Sequence, residues 1–288
     1  MEFINKALQK EYERLIGLYS DIGDLQKPLI NVSDVLKAYF ALADYFCDPD
    51  SQEQEQMLVG LRSIDLLCSA LGRQNVSFGG KTKYTEPRDI CSTLFYGLVK
   101  DHAFADGNKR SALLILLYQL WIYGYYPSVG VNEFEKLVVA VAANKLSSSF
   151  PFLWKKTEKE QDREVKTISS FLRKSVKKKD HTFHLTITMN TFVEALQVNS
   201  VKCFVDKGKL HFERTIKQKW PHKPKVLKYA APFGGWTRAI GAATAREALE
   251  KLELYDQFPS YQSFVNGDET FYSYIAQFEG PLRRLKDE

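Results

Sequence analysis

An apolar run in the first half of the chain constrains the fold more than any other feature of the sequence. Residues 111–123 read SALLILLYQLWIY, so a helix formed by them is apolar nearly all the way round. Such a helix has no polar face for water and must be covered by other elements. Residues 112–122, which include Gln119, are too few to cross a bilayer. We therefore predict a helix at the centre of a mainly α-helical bundle, with no membrane partner.

Helical spacing of apolar residues predicts the other helices of this bundle. They cover residues 3–20, 33–45, 54–71, 85–100 and 132–145. The stretch NVSFGGKTKYTEP interrupts this pattern between the third and fourth helices. Its alternation around Val76 and Phe78, followed by Gly79 and Gly80, predicts a short β-hairpin.

The second half of the chain has a different residue pattern from the first half. We place a charged linker at residues 155–165, between a first domain over 1–154 and a second domain over 166–288. In the second domain HTFHLTITM and KCFVDKGKLHFERTI are strand-like, and Asp206-Lys207-Gly208 predicts a hairpin turn. TMNTFVEALQV and residues 244–254 are predicted helices. The second domain is therefore predicted to be a smaller α+β domain.

Positive charge is concentrated in one part of the chain. The net charge is +5, yet residues 155–228 hold 19 Lys and Arg against 8 Asp and Glu, which leaves about −6 for the rest. A basic block can meet nucleic acid or an acidic partner. The alternative is a solvated face joined to a charged linker.

Aromatic residues alternate with cations inside this basic block. The cations are Lys202, Lys207, Lys209, Arg214, Lys217 and Lys219, and the aromatic residues are Phe204, His211, Phe212 and Trp220. This pattern is typical of surfaces that bind single-stranded nucleic acid. The other interpretation is that the aromatic residues form the core of the small domain while the lysines keep it soluble.

The cysteines and the N-terminal residues indicate a cytoplasmic protein. Cys47, Cys68, Cys91 and Cys203 show no CxxC spacing, so neither a zinc site nor a disulfide framework is predicted. The first residues, MEFINKALQKEYERL, carry charges every few positions and match neither a signal peptide nor a membrane span.

Polar chemistry is concentrated directly before the apolar helix, in KDHAFADGNKRSA. Gly107 and Asn108 stand at the predicted helix start, where backbone N–H groups and the helix dipole favour phosphate, and Lys109 and Arg110 add charge. Asp106 would repel phosphate unless Mg²⁺ bridges the two. His102, four residues upstream, can act as a general base. The alternative is an ordinary polar helix start.

The stretch HAFADGNKR resembles the signature of the Fic/Doc (Fido) family, His-x-Phe-x-Asp/Glu-Gly-Asn-Gly/Lys-Arg. Its surroundings are similar as well: FGGKTKY stands ahead of the motif, LFYGLVKDHAF leads into it, and a long apolar helix follows. The resemblance covers roughly residues 30–150. It implies a Fic/Doc-type α-helical bundle with a β-hairpin flap that transfers part of a nucleotide from Mg-ATP to a protein hydroxyl.

The resemblance also implies a role for each residue of the motif. His102 would deprotonate the target hydroxyl, and Asp106 would bind Mg²⁺. Gly107, Asn108 and Lys109 would hold the phosphates, while Arg110 would neutralise their charge. A flap formed by Phe78, Gly79, Gly80, Lys81 and Lys83 would hold the target segment in register by strand-like hydrogen bonds.

Two positions favour one branch of the family. AMP-transferring members usually have glycine where Lys109 stands and a second arginine where Leu113 stands. The Asn-Lys-Arg form is similar to the Doc branch, toxins that place the terminal phosphate at the base and phosphorylate a translation elongation factor. We therefore expect phosphoryl transfer to a Ser or Thr hydroxyl, with AMP transfer as the alternative.

Regulation is predicted to come from elsewhere in the chain or from a partner. The family's self-inhibitory motif, Ser/Thr-x-x-x-Glu-Gly/Asn, is absent, because Ile275 stands where Ser or Thr is required before Glu279-Gly280. An antitoxin protein or the second domain is the expected source of control. A hypothesis from another class is a nucleic-acid-binding regulator whose Fic/Doc half is inactive.

Overall fold

The chain forms two compact units, which we describe separately. The computed structural model describes residues 3, 5–22, 25, 27–46, 57–178, 188–216, 224–255 and 270–286. Unit 1 comprises residues 1–178 together with 270–288, and unit 2 comprises residues 179–269.

Unit 1 is a helical bundle with one short hairpin and one long-range pair of short strands, which confirms the mainly α prediction. The helices of unit 1 that precede unit 2 in the sequence are α1 (Lys6–Tyr19), α2 (Val32–Phe46), α3 (Ile64–Gly72), α4 (Pro87–Lys100), α5 (Asn108–Ile122), α6 (Val131–Ala142), α7 (Leu146–Ser149), α8 (Pro151–Lys156) and α9 (Arg163–Ser175). Its strands pair antiparallel, β1 (Ser77–Phe78) with β2 (Lys81–Thr82) and β3 (Tyr125–Pro127) with β4 (Val176–Lys178).

The apolar run forms the central helix, as predicted. α5 packs against α2, α4 and α6, and its side chains from Ala112 to Leu117 are at most 1% exposed. Burial on every side accounts for a helix without a polar face. No described helix has the length and hydropathy needed to cross a bilayer.

The predicted helix over residues 54–71 is wrong in its described first half. The helix begins only at Ile64, where the Ser63 hydroxyl accepts a hydrogen bond from the Leu66 N–H at 3.3 Å. The residues before it are extended, and Leu61 forms a β-bridge with Phe104. A long-range backbone pairing therefore replaces the helix that the local apolar spacing favoured.

The boundary between the units also differs from the predicted linker at 155–165. α9 packs on α4 and buries Val165, Ile168 and Leu172 in unit 1. Its Lys166 ammonium lies 2.7 Å from the Asp89 carboxylate on α4. The charged stretch 155–165 thus spans the end of α8, a turn and the start of α9, and the boundary follows residue 178.

The end of the chain returns to unit 1, although the sequence assigns it to the second domain. It forms α12 (Thr270–Gln277) and α13 (Glu279–Arg284). α12 packs on α2 and α5, and α13 packs on α6. Apolar side chains of this segment are buried in the core of unit 1: Phe271, Tyr274, Ile275, Phe278, Leu282 and Leu285.

Unit 2 is a small α+β domain. Its order is α10 (Met189–Val198), β5 (Val201–Asp206), β6 (Lys209–Ile216), β7 (Lys225–Pro232) and α11 (Ala242–Lys251), and the strands form one antiparallel sheet β5-β6-β7. The predicted hairpin turn is confirmed, with Lys207 and Gly208 at φ 47° and 73°. β7 was not predicted, and most of HTFHLTITM lies outside the described residues.

Because Phe278 is fully buried and packs edge-to-face on Phe134, with ring centroids 5.9 Å apart, α12 and α13 should be part of the folding core. We expect Phe278→Ala to lower the free energy of unfolding of unit 1 by about 3–5 kcal/mol, measured by denaturant titration.

Phe78→Ala is the control, because Phe78 is 92% exposed. It should change the free energy of unfolding by less than about 0.5 kcal/mol. Equal stability of the two variants would show that the returning segment does not contribute to the core.

Candidate active site

The polar motif forms the loop between α4 and α5, and one aromatic residue anchors it. Phe104 is buried, and its ring stacks on that of Tyr39 from α2 with centroids 3.9 Å apart and planes 9° apart. The Tyr39 hydroxyl also accepts a hydrogen bond from the Gly60 N–H at 2.9 Å. Phe104 therefore fixes the loop as an apolar anchor.

Backbone hydrogen bonds tie the same loop to the extended segment before α3. The Ala103 carbonyl accepts from the N–H groups of Arg62 and Ser63 at 2.8 and 3.1 Å. The Ala105 N–H donates to the Gly60 carbonyl at 2.9 Å. These bonds span the position of Phe104 and hold the loop as an irregular strand.

Asn108, the first residue of α5, also holds the loop in place. Its Oδ1 accepts from the Phe104 N–H and its Nδ2 donates to the Phe104 carbonyl, both at 2.9 Å. The side chain is 4% exposed. The sequence suggested a contact with phosphate for Asn108, and the structure gives its side chain a positioning role toward the loop.

His102 lies on this supported loop and is exposed to solvent. Its φ of 48° is in the left-handed region, which costs energy for a residue with a Cβ and is found preferentially at functional sites. The neighbours hold it there, because the Asp101 N–H bonds to the Gly97 carbonyl at 2.8 Å and Ala103 is tied to Arg62. An exposed imidazole on a rigid loop is available to an incoming hydroxyl.

Gly107 is the residue from which α5 starts. Its φ is 78°, a left-handed value that glycine adopts without steric cost. A Cβ there would lie 2.8 Å from the Met57 Cε, so the position has little space for a side chain. The first turn of α5 follows directly, and a helix N-terminus attracts anions through its backbone N–H groups and dipole.

Asp106 supplies one carboxylate immediately before that helix start. Its Oδ1 accepts from the Gly107 N–H at 2.5 Å and its Oδ2 from the Leu58 N–H at 3.4 Å. Within the described ranges no group of three His, Cys, Asp or Glu residues is placed to hold a metal ion. A single carboxylate beside an anion site fits Mg²⁺ that is shared with phosphate oxygens, the usual arrangement for this ion.

The two cations of the motif meet the C-terminal segment, which sequence reasoning missed. The Lys109 ammonium donates to the Lys286 carbonyl at 2.6 Å. The buried Arg110 guanidinium lies 5.1 Å from the centroid of the Phe46 ring, and Arg283 lies 5.4 Å from the same centroid. The apolar spacing of residues 271–285 indicated a helix, but local spacing carries no information about the surface that it covers.

Glu279, the acidic residue of the incomplete self-inhibitory motif, belongs to the same group of side chains. Its Oε1 accepts from the Arg283 guanidinium at 2.8 Å, an i,i+4 pair on α13. Two guanidinium groups therefore lie at the Phe46 ring, and the Glu279 carboxylate pairs with one of them, that of Arg283.

The predicted hairpin is present ahead of the loop. Gly79 and Gly80 form its turn at φ 57° and 75°, and Phe78 projects into solvent. Lys81 is also exposed, but the Lys83 ammonium lies 2.6 Å from the Asp162 carboxylate. That hydrogen bond raises the pKa of Lys83. The Lys83 ion pair therefore holds the base of the hairpin to Asp162, and residues 78–81 form the exposed part of the hairpin.

Comparison with known proteins gives one match and two negative results. No curated protein and no solved structure matches the chain. The sequence model of the Fic/DOC family matches residues 29–120, the segment that runs from the start of α2 through the hairpin, the loop and most of α5. Members of that family are nucleotide-dependent enzymes that modify proteins. Residues 29–120 are thus similar to the Fic/DOC family, and they contain every residue from His102 to Arg110.

Proposed function

We propose that unit 1 transfers the terminal phosphoryl group of Mg-ATP to a Ser or Thr hydroxyl of a target protein. The observation that carries this proposal is the start of α5. A left-handed glycine, a carboxylate and an exposed histidine lie within six residues on a loop that is held by backbone bonds and an aromatic anchor. The family match supports a nucleotide-dependent transferase in general.

The nucleotide would bind with its phosphates at the first turn of α5. The left-handed Gly107 starts the helix whose first backbone N–H groups would bind the anion, and Lys109 and Arg110 contribute positive charge. The Asp106 carboxylate would hold Mg²⁺ together with phosphate oxygens, and the ion would neutralise charge on the transferred group. For this purpose the Lys109 ammonium exchanges its bond to the Lys286 carbonyl for a phosphate oxygen.

The chemical step is a displacement at the γ phosphorus. The target hydroxyl oxygen forms a bond to this phosphorus while the bond to the β,γ-bridging oxygen breaks and ADP leaves. His102 takes the hydroxyl proton, since an exposed neutral imidazole can accept one. The rigid loop keeps the base and the phosphate site in one geometry, and such positioning supplies much of the rate of phosphoryl transfer.

Lys109 and Leu113 favour phosphoryl over AMP transfer. A lysine side chain occupies volume at the helix start that a glycine would leave for the α and β phosphates. Leu113 stands where AMP-transferring members usually have arginine, and it is fully buried in the core. AMP transfer, with the α phosphorus facing His102 and pyrophosphate as the leaving group, is the alternative.

The target and any regulator are proposed from the surfaces around the loop. The exposed part of the hairpin, from Phe78 to Lys81, offers backbone groups to an extended target segment. A translation elongation factor is the target that the Doc resemblance suggests. An antitoxin protein would act at Lys109, where it would compete with the Lys286 carbonyl for the Lys109 ammonium. An inactive regulator is the competing function, and the intact set from His102 to Arg110 opposes it.

His102→Asn tests the base directly. Asparagine tolerates the left-handed backbone better than alanine does, so the loop should keep its conformation while the proton acceptor is lost. We expect transfer to fall by roughly two to four orders of magnitude, with an unchanged thermal unfolding curve. Near-normal transfer by the folded variant would remove His102 from this role.

The product distinguishes the two reactions. The protein is incubated with a cell extract and with ATP labelled at either the α or the γ position, followed by intact-mass analysis of the labelled target. Phosphoryl transfer predicts that only the γ label reaches the target and that ADP is released. AMP on the target together with free pyrophosphate would contradict phosphoryl transfer and leave a Fic-type transferase.

A further inference from the structure

We propose that the open face of the three-stranded sheet in unit 2 binds single-stranded nucleic acid, preferably RNA. α10 and α11 cover one face of this sheet and bury Phe192, Phe212 and Leu249 against it. The other face carries the alternate residues of β5, β6 and β7, and no described element of unit 2 packs on it. The sequence pattern left two interpretations of the aromatic residues. Phe204 and His211 lie on the open face and Phe212 lies in the core, whereas Trp220, Lys217 and Lys219 lie outside the described residues.

An aromatic pair lies in the middle of the open face. Phe204 on β5 and His211 on β6 are directly opposite each other in the register. Their rings are parallel within 10°, with centroids 5.2 Å apart, and Phe204 is 39% exposed. Stacked rings on an accessible sheet are platforms on which unpaired bases can stack, because every base has a π face. Phe212, by contrast, is fully buried and belongs to the core.

Cations surround this aromatic pair. The Lys202 ammonium lies 5.8 Å from the centroid of the Phe204 ring, and Lys209 is exposed on the same face of β6. Lys228 on β7 extends the row formed by Lys202 and Glu213, and its ammonium lies 2.6 Å from the Glu213 carboxylate. The face thus joins an accessible aromatic pair to the ammonium groups of Lys202 and Lys209, a combination typical of surfaces that bind single-stranded nucleic acid.

The charge of the strand region fits an anionic occupant, and the stacked aromatic pair favours nucleic acid over an acidic peptide. Residues 201–228 contain nine Lys and Arg and two Asp and Glu, and three of the nine lie outside the described residues. Two others act inside the unit, because Arg214 donates to the Leu252 carbonyl at 2.8 Å and Lys225 pairs with Glu253 at 2.5 Å. The exposed side of α11 has mixed charge, including the Arg246–Glu250 pair. On the open face the described charges are Lys202, Lys209 and Lys228 against Asp206 and Glu213, an excess of one positive charge beside the aromatic pair.

Two features favour single strands over duplex. A stacked base must leave its own neighbours, which an unpaired strand allows at low cost and a duplex does not. A flat sheet also fits neither groove of a duplex as an inserted helix or two-stranded ribbon does. The ligand class is therefore an unpaired oligonucleotide of either sugar, and RNA offers additional 2′-hydroxyl contacts to Lys and His side chains.

The test is fluorescence anisotropy of the full chain with labelled oligouridine, oligothymidine and duplex RNA, each of about 20 nucleotides per strand. We expect both single strands to bind and the duplex to bind more weakly. Phe204→Ala combined with His211→Ala should weaken binding about tenfold or more, because a stacking platform is lost. Both side chains point away from the core, so the thermal unfolding curve should not change.

Charge variants provide an independent measurement. Lys202→Gln combined with Lys209→Gln should reduce the dependence of log affinity on log salt by roughly 0.7 for each lysine that contacts a phosphate. Lys251→Gln on the helical side is the matched control and should leave both affinity and salt dependence as in the parent. Absence of binding by the parent at low salt, equal or tighter binding of the duplex, or parental affinity in the aromatic double variant would overturn the proposal.

Discussion

The hydrogen-bonded clamp between Asn108 and Phe104 is the interaction on which the candidate active site depends. It joins the first residue of the central helix to the middle of the loop that carries His102 and Asp106. Because the clamp is buried, water does not compete with its two bonds. Because Phe104 also stacks on Tyr39, the position of the loop is fixed relative to α2. The packing of the bundle therefore sets the geometry of the site, and the buried Asn108 side chain links the two.

The returning C-terminal segment gives the bundle a second constraint. Its apolar residues fill the core beside α2, α5 and α6, and its end places the Lys286 carbonyl on Lys109. Unit 2 is thus inserted between two parts of unit 1 in the sequence. Completion of unit 1 therefore requires residues that follow unit 2 in the sequence.

Features that local sequence determines were predictable. The helix over 111–123 followed from its nearly continuous apolar run, and the turns at Gly79-Gly80 and at Gly208 followed from glycines, which adopt a positive φ without steric cost. The polar motif likewise predicted a loop that leads into the start of α5.

Features set by long-range contacts were not predictable in the same way. Residues 57–63 have helical apolar spacing, but they pair with the loop at Phe104. The charged stretch 155–165 was predicted to be a linker, but it joins α8 to α9 within unit 1, because α9 packs on α4. The bond between Lys109 and Lys286 joins residues that are far apart in sequence, and no local pattern predicts it. In each case the prediction would have required knowing which part of the fold the segment contacts.

The central claim is that the start of α5 binds Mg-ATP, and a pair of glycine variants tests it most directly by calorimetry. Gly107 and Gly124 both have a left-handed φ, 78° and 75°, but only Gly107 precedes the proposed phosphate site, and a Cβ there would also meet the Met57 Cε at 2.8 Å, whereas Gly124 has open space around it. We expect the parent and Gly124→Ala to bind ATP in a magnesium-dependent manner, and Gly107→Ala to bind about tenfold more weakly or worse, since room for the Cβ displaces the backbone at the start of α5 that the phosphates would contact. Equal affinities of the two variants, or binding of ATP that does not depend on Mg²⁺, would contradict the account.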